Sequence, residues 1–192
     1  MNLRSSPRLH AHNQRGLLLI EILVSLVIIA FGLLALAGFV TKATALAGES
    51  TQRTRASMLL SDISGRILAN KNEAALYIAA TQPATGYGTP GLSNICPAAG
   101  TASPNNASKD LCDWHNLLQG ANDAQTGGNA AALGYRGCLE RNAANNIFTI
   151  TVAWGATTPS DIPTNTCGKD QFGADEYRRV LRTTVRIPNL NM

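Results

Sequence analysis

Glu21 is a carboxylate inside the most apolar segment of this 192-residue chain. Four apolar residues separate it from Gly16, and Ser25 is the only polar residue among the nineteen positions that follow it. A carboxylate within a membrane span costs up to a few kcal/mol, and ionisable residues at such positions tend to serve a function. Glu21 is therefore the first candidate for a functional residue, and its role depends on what the apolar segment does.

Two ordinary roles for the segment explain the apolar residues but not Glu21. As a cleaved secretion signal, the segment offers a small-residue cleavage site before Gly38 and another before Gly48. Glu21 would divide the apolar part of such a signal. As a plain membrane anchor, residues 22–41 carry no charge and can cross a bilayer core of about 30 Å at about 1.5 Å per residue. The carboxylate would then be an unexplained cost at the membrane edge.

The segment resembles the N-terminal signature of type IV prepilins and pseudopilins. In that family a short basic leader ends in glycine, a dedicated prepilin peptidase cuts after it, and glutamate is the fifth residue of the mature chain. Here residues 1–16 correspond to the leader, Leu17 to the new and N-methylated N-terminus, and Glu21 to the fifth residue. The family usually begins with phenylalanine, so Leu17 is a departure that bears on the extent of N-methylation.

Cleavage after Gly16 gives the glutamate a physical role. The cut creates a charged α-amine at Leu17, and residues four apart share one face of a helix. A lone charge in an apolar bundle is costly, and pairing it removes much of that cost. The resemblance implies that Glu21 pairs with the amine of a neighbouring subunit, so that the carboxylate sets the register in which subunits assemble.

One long helix is expected to follow the leader. No proline occurs between Pro7 and Pro83, which permits a helix from residue 17 to about residue 80. Residues 17–41 are apolar all round and form the transmembrane or filament-core part, and residues 42–80 form an amphipathic continuation. Five apolar residues of that continuation are expected to pack on a sheet: Leu59, Leu60, Ile63, Ile67 and Leu68.

Residues 81–135 are rich in Gly, Pro, Asn, Thr and Ala, and they form a loop-rich insertion. One short helix interrupts it over residues 110–119, with Ser108 or Asp110 as its N-terminal cap. Its apolar side carries Leu111, Trp114 and Leu118.

Residues 136–192 form an antiparallel β-sheet. Alternation of apolar and polar residues predicts two strands, Ile147 to Trp154 and Tyr177 to Ile187. Arg136 to Arg141 is the candidate for a third, which would form a hairpin with the strand that follows it. The predicted fold class is pilin-like α+β: a long N-terminal helix, with an apolar protruding half and an amphipathic second half, packed on a small antiparallel sheet.

All four cysteines lie downstream of the apolar segment, where export would place them in an oxidising compartment. The chain has no CxxC motif, which disfavours a zinc site or a redox pair. Four cysteines allow three connectivities, and the favoured one joins Cys96 to Cys112 and Cys138 to Cys167. The first bond would attach the loop to the short helix, and the second would clamp the predicted hairpin.

Other candidate chemistries fail the test of context. Residues 86–91 match GxGxxG in form but follow a helix rather than a strand. His115 is the only histidine outside the leader, and no HExxH motif is present. One face of the last predicted strand carries three arginines: Arg178, Arg182 and Arg186. This face is interpreted as solvated or as a subunit contact, and less readily as a site for an acidic partner. We therefore expect no enzymatic activity, no metal and no cofactor.

Charge disfavours a role in binding nucleic acid. The formal net charge is +4, but Arg4, Arg8 and Arg15 precede the apolar segment and leave 13 basic and 12 acidic residues after it. Such a nearly neutral body lacks the clustered basic face that nucleic acid requires.

Within the prepilin family, the segment is most similar to PilV-type minor pilins, also called type IV pilus modification proteins. Ile20 to Leu26 and Phe31 to Gly38 resemble the LIEVLVAL and GLLGLAG patterns of that group. The resemblance implies a minor pilin that helps initiate or cap a type IV pilus near its tip. It also implies a single pass through a bacterial inner membrane with a periplasmic body, followed by incorporation into the pilus at the cell surface.

The partners that the resemblance implies are other minor pilins, the major pilin, the prepilin peptidase, the inner-membrane assembly platform and a tip adhesin. Two alternatives stay open. The first is a pseudopilin of a type II secretion system, which uses the same chemistry in a short filament. The second is an adhesion or binding module at the tip, for which Tyr87 and Trp114 are the candidate contact residues, although inward packing is favoured for Trp114.

Overall fold

The computed structural model describes residues 15–79, 85–92, 95–98, 100–120 and 134–188. The predicted leader lies outside the described residues except at its last two positions, Arg15 and Gly16. The chain divides into two compact units, Met1–Leu46 and Ala47–Met192. The first helix, α1 (Arg15–Ala69), passes from one unit into the other.

In the first unit, α1 is apolar and exposed. Its large apolar side chains from Leu19 to Leu46 are between 44% and 70% exposed. The most apolar stretch of the helix reaches a mean hydropathy of 2.8, and α1 is the one helix within the described ranges that is long and apolar enough to cross a membrane. This part of the chain has the properties of a single membrane span or a signal anchor.

In the second unit, residues 47–69 of α1 pack against the sheet through one apolar face. Leu60, Ile63 and Ile67 are buried as predicted, and Ala56 extends the same face toward the N-terminus. Leu59 is half-buried, whereas Leu68 is 47% exposed and points to solvent. The resulting structure is the expected α+β arrangement of a long helix and a small antiparallel sheet.

The prediction that α1 continues to about residue 80 is wrong. The helix ends at Ala69, and a 3-10 turn (Lys71–Glu73) and the short helix α2 (Leu76–Ala79) follow. Asn70 leaves helical geometry, with φ −103° and ψ 38°, and its side-chain amide donates to Asp110 at 2.7 Å. The helix thus ends at a residue that contacts a distant part of the chain.

Helix α3 (Asn106–Leu118) is the short helix expected within the loop-rich insertion, and it begins four residues earlier than predicted. Its N-terminal cap is Asn105, whose side chain accepts a hydrogen bond from the Ser108 amide at 2.8 Å. The predicted caps, Ser108 and Asp110, lie instead inside the first turns. Three apolar side chains of α3 are buried as expected: Leu111, Trp114 and Leu118.

The sheet has the order β1-β2-β3, and both pairings are antiparallel. Its strands are β1 (Arg136–Asn142), β2 (Ile147–Gly155) and β3 (Arg178–Arg186). The inner face of β2 carries Phe148, Ile150, Val152 and Trp154, all at most 4% exposed. Because these side chains face the buried side of α1, the core lies between helix and sheet.

The opposite face of the sheet is also covered at one end. Thr151 and Ala153 point away from the core, yet they are 1% and 0% exposed. The segment 156–174, which we call the outer loop, covers them: a Cβ at Gly168 would lie 3.0 Å from the Ala153 Cβ. The sheet is therefore buried on both faces near the end of β2.

Candidate functional site

The predicted cleavage point lies at the start of α1. The Gly16–Leu17 bond belongs to the first helical turn described, and Glu21 follows four residues later on the same helix. At about 1.5 Å of rise per residue, the backbone nitrogen of Leu17 and the Cα of Glu21 are about 6 Å apart along the axis. The backbone nitrogen of Leu17 and the side chain of Glu21 therefore start from the same face of α1.

Glu21 lies among exposed apolar side chains. Ile20, Ile22 and Val24 are 60%, 61% and 49% exposed, and Glu21 itself is exposed. It forms no ion pair with any other residue in the described ranges. Such a surface is suited to lipid or to other apolar helices, and in either setting a charged carboxylate is costly unless it is paired.

A polar cluster joins the end of α1 to α3. Asp110 accepts from Arg66 Nη1 at 3.1 Å, from Asn70 Nδ2 at 2.7 Å and from the Tyr77 hydroxyl. Burial, followed by the bond to Asp110, raises the pKa of Tyr77 above its usual value. Burial tends to lower the pKa of Arg66, but its bonds to surrounding carboxylates raise it overall. These bonds fix α3 across the helix end.

Both predicted disulfides are present. Cys96–Cys112 attaches the 95–98 segment to α3. Cys138–Cys167 attaches the outer loop to β1 on the face of the sheet away from the core. Each bond secures a loop segment to a regular element, which is the role expected in a body exported to an oxidising compartment.

The two aromatic residues proposed as tip contacts are buried. Tyr87 is 1% exposed and Trp114 0%, and their ring centroids lie 5.6 Å apart. Trp114 Nε1 donates to the Leu59 carbonyl at 3.0 Å, and burial raises the pKa of Tyr87 to about 12. Trp114 packs inward, as its place on the apolar side of α3 predicted, whereas the prediction that Tyr87 is available to a ligand is wrong, because both side chains form the contact between α3 and the rest of the core.

Of the three arginines predicted to line an exposed face of β3, one is buried. Arg182 and Arg186 are exposed, whereas Arg178 is 1% exposed. Arg178 bonds Asp175 at 2.8 Å through Nε and donates to the carbonyl groups of three residues of the outer loop. Its bond lowers the pKa of Asp175. Arg178 thus holds the outer loop against β3 and is not part of a solvated face.

The GxGxxG-like segment is a structural turn. Gly86, Gly88 and Gly91 all have positive φ, and Tyr87 between the first two forms a backbone bridge with Gly137 on β1. His115 Nδ1 accepts from the Gly88 amide at 2.9 Å. Burial, together with the charge of Arg136, lowers the pKa of His115, which stays neutral as an internal acceptor.

Sequence reasoning missed the burial of Arg136, which is 7% exposed beneath the outer loop. Its position at the start of a strand gave no local signal, since the loop that covers it is distant in sequence. Within the described residues, no group of three or more His, Cys, Asp or Glu side chains is placed to hold a metal ion. No family model, curated protein or solved structure matches the chain.

Proposed function

We propose that the chain is a subunit of a type IV filament, and specifically a minor pilin that helps initiate or cap a pilus near its tip. The observation that carries this proposal is the position of Glu21. It lies four residues beyond the Gly16–Leu17 bond, at the start of a helix whose following apolar side chains are exposed. A secretion signal or a plain anchor leaves that carboxylate without a purpose.

The proposed sequence of events starts in the inner membrane. The exposed apolar part of α1 holds the protein there as a single span, with the disulfide-bonded body in the periplasm. The prepilin peptidase hydrolyses the Gly16–Leu17 bond, which releases the leader and leaves a charged amine at Leu17. N-methylation of that amine keeps its positive charge.

Docking then pairs charges between subunits. A subunit that enters the growing filament brings Glu21 into an apolar helix bundle, where the carboxylate is stabilised if a neighbour's α-amine lies beside it. A shift along the helix by one turn, about 5.4 Å, separates the two charges. The pair therefore favours one stagger of the helices, and each wrong stagger leaves a desolvated charge.

The body supports the same role. Its polar contacts hold α1, α3 and the outer loop together, and the candidate ligand contacts Tyr87 and Trp114 are committed to the core. Because no ligand contact is left at these two residues, the proposed partners are those of filament assembly: other pilins, the peptidase and the assembly platform. A type II secretion pseudopilin would use the same cleavage and docking, and the filament with which the protein co-purifies distinguishes the two.

Determination of the mature N-terminus by mass spectrometry tests the cleavage step. We expect the sequence Leu17-Leu18-Leu19-Ile20-Glu21, with a methyl group on the α-amine. Gly16→Val should accumulate as uncut precursor, because the larger side chain blocks the peptidase. The matched control is Gly32→Ala, at a helical position with open space around the new Cβ, and it should be cut normally. A mature chain that starts at Gly38 or Gly48 would refute the proposal.

A further inference from the structure

One side of β3 forms an edge of the sheet. The strand order is β1-β2-β3, so β3 has a neighbouring strand on one side only. It is nine residues long, pairs with β2 without a bulge and contains no proline. Sheet edges are usually protected by short strands, prolines, bulges or charges, because their free backbone groups can bind another strand. Of these features, β3 has only charge.

Hydrogen bonds at both ends of β3 show which backbone groups point away from β2. Ile187 N donates to the Asn146 carbonyl at 3.0 Å, and Ala156 N donates to the Tyr177 carbonyl at 2.7 Å. In an antiparallel pair, residues bonded to the partner strand alternate with residues whose backbone groups point outward. The exposed outward residues, which we call the open edge, are Arg182, Thr184 and Arg186. Within the described ranges, their outward N–H and C=O groups form no hydrogen bond.

The side chains of the open edge give it a positive charge. Arg178 and Arg179, at the start of β3, each bond a carboxylate. Neither Arg182 nor Arg186 forms an ion pair among the residues that the structure describes. The residues opposite them on β2 are uncharged. Glu140, the one carboxylate within the three strands, lies two strands away, which is about 10 Å at about 4.8 Å per strand.

A second copy of the chain does not suit this edge. Two β3 strands joined side by side would bring Arg182 and Arg186 of both copies onto one face of the joint sheet. Like charges on neighbouring strands destabilise the pairing, and β3 contains no carboxylate to separate them. In an acidic strand, by contrast, each carboxylate would lie beside a positive charge. The open edge therefore selects for an acidic segment and against self-association.

The core side of the same edge favours apolar residues in the added strand. Val185 is 9% exposed, and Leu181 is half-buried against the core. Side chains of a strand alternate between the two faces of a sheet. In an antiparallel addition, acidic residues four positions apart would therefore lie opposite Arg186 and Arg182. The residue after each of them would lie opposite Val185 or Leu181, where an apolar side chain fits.

We propose that the open edge binds an extended acidic segment of another protein, which joins the sheet as a fourth strand. Backbone hydrogen bonds supply the affinity, and the two arginines select acidic residues four positions apart. The proposal does not rest on the filament function, because it follows from the hydrogen-bonding groups and the charge of β3.

Amide hydrogen exchange, measured by NMR on the full chain in an uncharged detergent, tests whether the edge is open. The amides of Leu181, Thr183 and Val185 bond to β2 and should exchange slowly. Those of Arg182 and Thr184 point outward and should exchange at least about tenfold faster. Equal protection of all five amides, in a monomer or in a dimer, would show that the edge is already covered, and it would overturn the proposal.

Titration with the peptide Glu-Val-Thr-Val-Glu-Val, blocked at both ends, tests recognition. We expect saturable binding that slows exchange of the Arg182 and Thr184 amides. N-methylation of the threonine in the peptide removes an N–H that points toward β3, and it should weaken binding about tenfold. N-methylation of the second valine removes an N–H that points away from β3, so this matched control should bind like the parent peptide.

Charge reversal tests the selectivity. The variant with both Arg182→Glu and Arg186→Glu should bind the acidic peptide about tenfold more weakly and bind Lys-Val-Thr-Val-Lys-Val instead. Arg53→Glu, at an exposed position of α1, is the control and should bind the acidic peptide normally. If the double variant does not fold, the two N-methylated peptides decide the question on the unaltered protein. An open edge that ignores the acidic peptide, or that binds both peptides equally, would show that the arginines only protect the edge and would overturn the proposal.

Discussion

Asp110→Ala is the substitution that tests most sharply how α3 is fixed to the end of α1. The side chain of Asp110 is 11% exposed and accepts from three donors, on Arg66, Asn70 and Tyr77. Removal of the carboxylate leaves the Tyr77 hydroxyl with two longer bonds, both of 3.3 Å: it donates to the Arg66 carbonyl and accepts from Asn70 Nδ2. All three donors therefore lose the same acceptor.

The expected loss of stability follows from these contacts. A hydrogen bond to a charged group contributes about 1.5–3 kcal/mol, and the loss of one partner of a buried ion pair costs about 3–5 kcal/mol. Arg66 is 26% exposed and keeps Asp113 as a partner at 3.2 Å, which lowers the cost. We expect Asp110→Ala to reduce the free energy of unfolding by about 3 kcal/mol.

Asp113→Ala is the matched control. Asp113 lies one turn along the same helix and bonds the same Arg66 atom, but its side chain is 38% exposed. Its loss should cost less than about 1 kcal/mol. A double-mutant cycle of Asp110→Ala with Tyr77→Phe should show a coupling energy of about 1–2 kcal/mol, since these side chains bond directly.

Urea unfolding of the full chain in an uncharged detergent supplies these values. Trp114 and Trp154, both in the core, report the transition by fluorescence. The slope of the free energy with urea should be the same in all variants. If Asp110→Ala costs no more than Asp113→Ala, or if the coupling to Tyr77 is zero, the polar cluster does not hold α3 in place.

Two further predictions concern the packing around α3. Gly137→Ala should reduce the free energy of unfolding by about 2–4 kcal/mol, because its Cβ would lie 2.2 Å from Trp114 Cη2. Gly65→Ala is the control: it has open space at a helical position and should increase the free energy of unfolding by up to about 1 kcal/mol. Equal effects of the two substitutions in urea unfolding would contradict the close contact between Gly137 and Trp114. His115 has a lowered pKa in the folded state, so unfolding takes up a proton below about pH 6.5 and stability falls toward pH 5, by at most about 1.4 kcal/mol per pH unit. His115→Asn keeps an acceptor for the Gly88 amide but does not titrate, so its free energy of unfolding should change less between pH 7 and pH 5. Equal changes of the free energy of unfolding with pH in both proteins would contradict a neutral His115.

The periodic spacing of apolar residues along the chain predicted the strand β2 and the packing face of α1. The alternation in Ile147 to Trp154 gave β2 to within one residue, because its four largest side chains all lie on the core face of the sheet: Phe148, Ile150, Val152 and Trp154. The helical spacing of Leu60, Ile63 and Ile67 gave the face of α1 that packs on the sheet. The two disulfides have the favoured one of the three possible connectivities, with the first bond joining a loop to the short helix and the second enclosing the hairpin.

Features that depend on distant contacts were missed. α1 ends at Ala69, where Asn70 bonds to Asp110, forty residues apart in sequence. The burial of Arg136 and Arg178 is set by the outer loop, whose composition is that of an exposed segment. The proposed N-terminal site can be read from the sequence alone because its parts lie within a few consecutive residues of Glu21.

The measurement that tests the docking role of Glu21 most directly is the distribution of Glu21→Gln among three pools: uncut precursor, cut membrane protein and protein in sheared filaments. The amide keeps the size of the side chain and removes its charge, so membrane insertion and cleavage after Gly16 should persist. Ser25→Ala, four residues further on the same helix face, is the matched control and should enter filaments normally. We predict that Glu21→Gln collects as cut membrane protein and is absent from sheared filaments. Its recovery there at the level of the unaltered protein would show that the carboxylate does not direct docking.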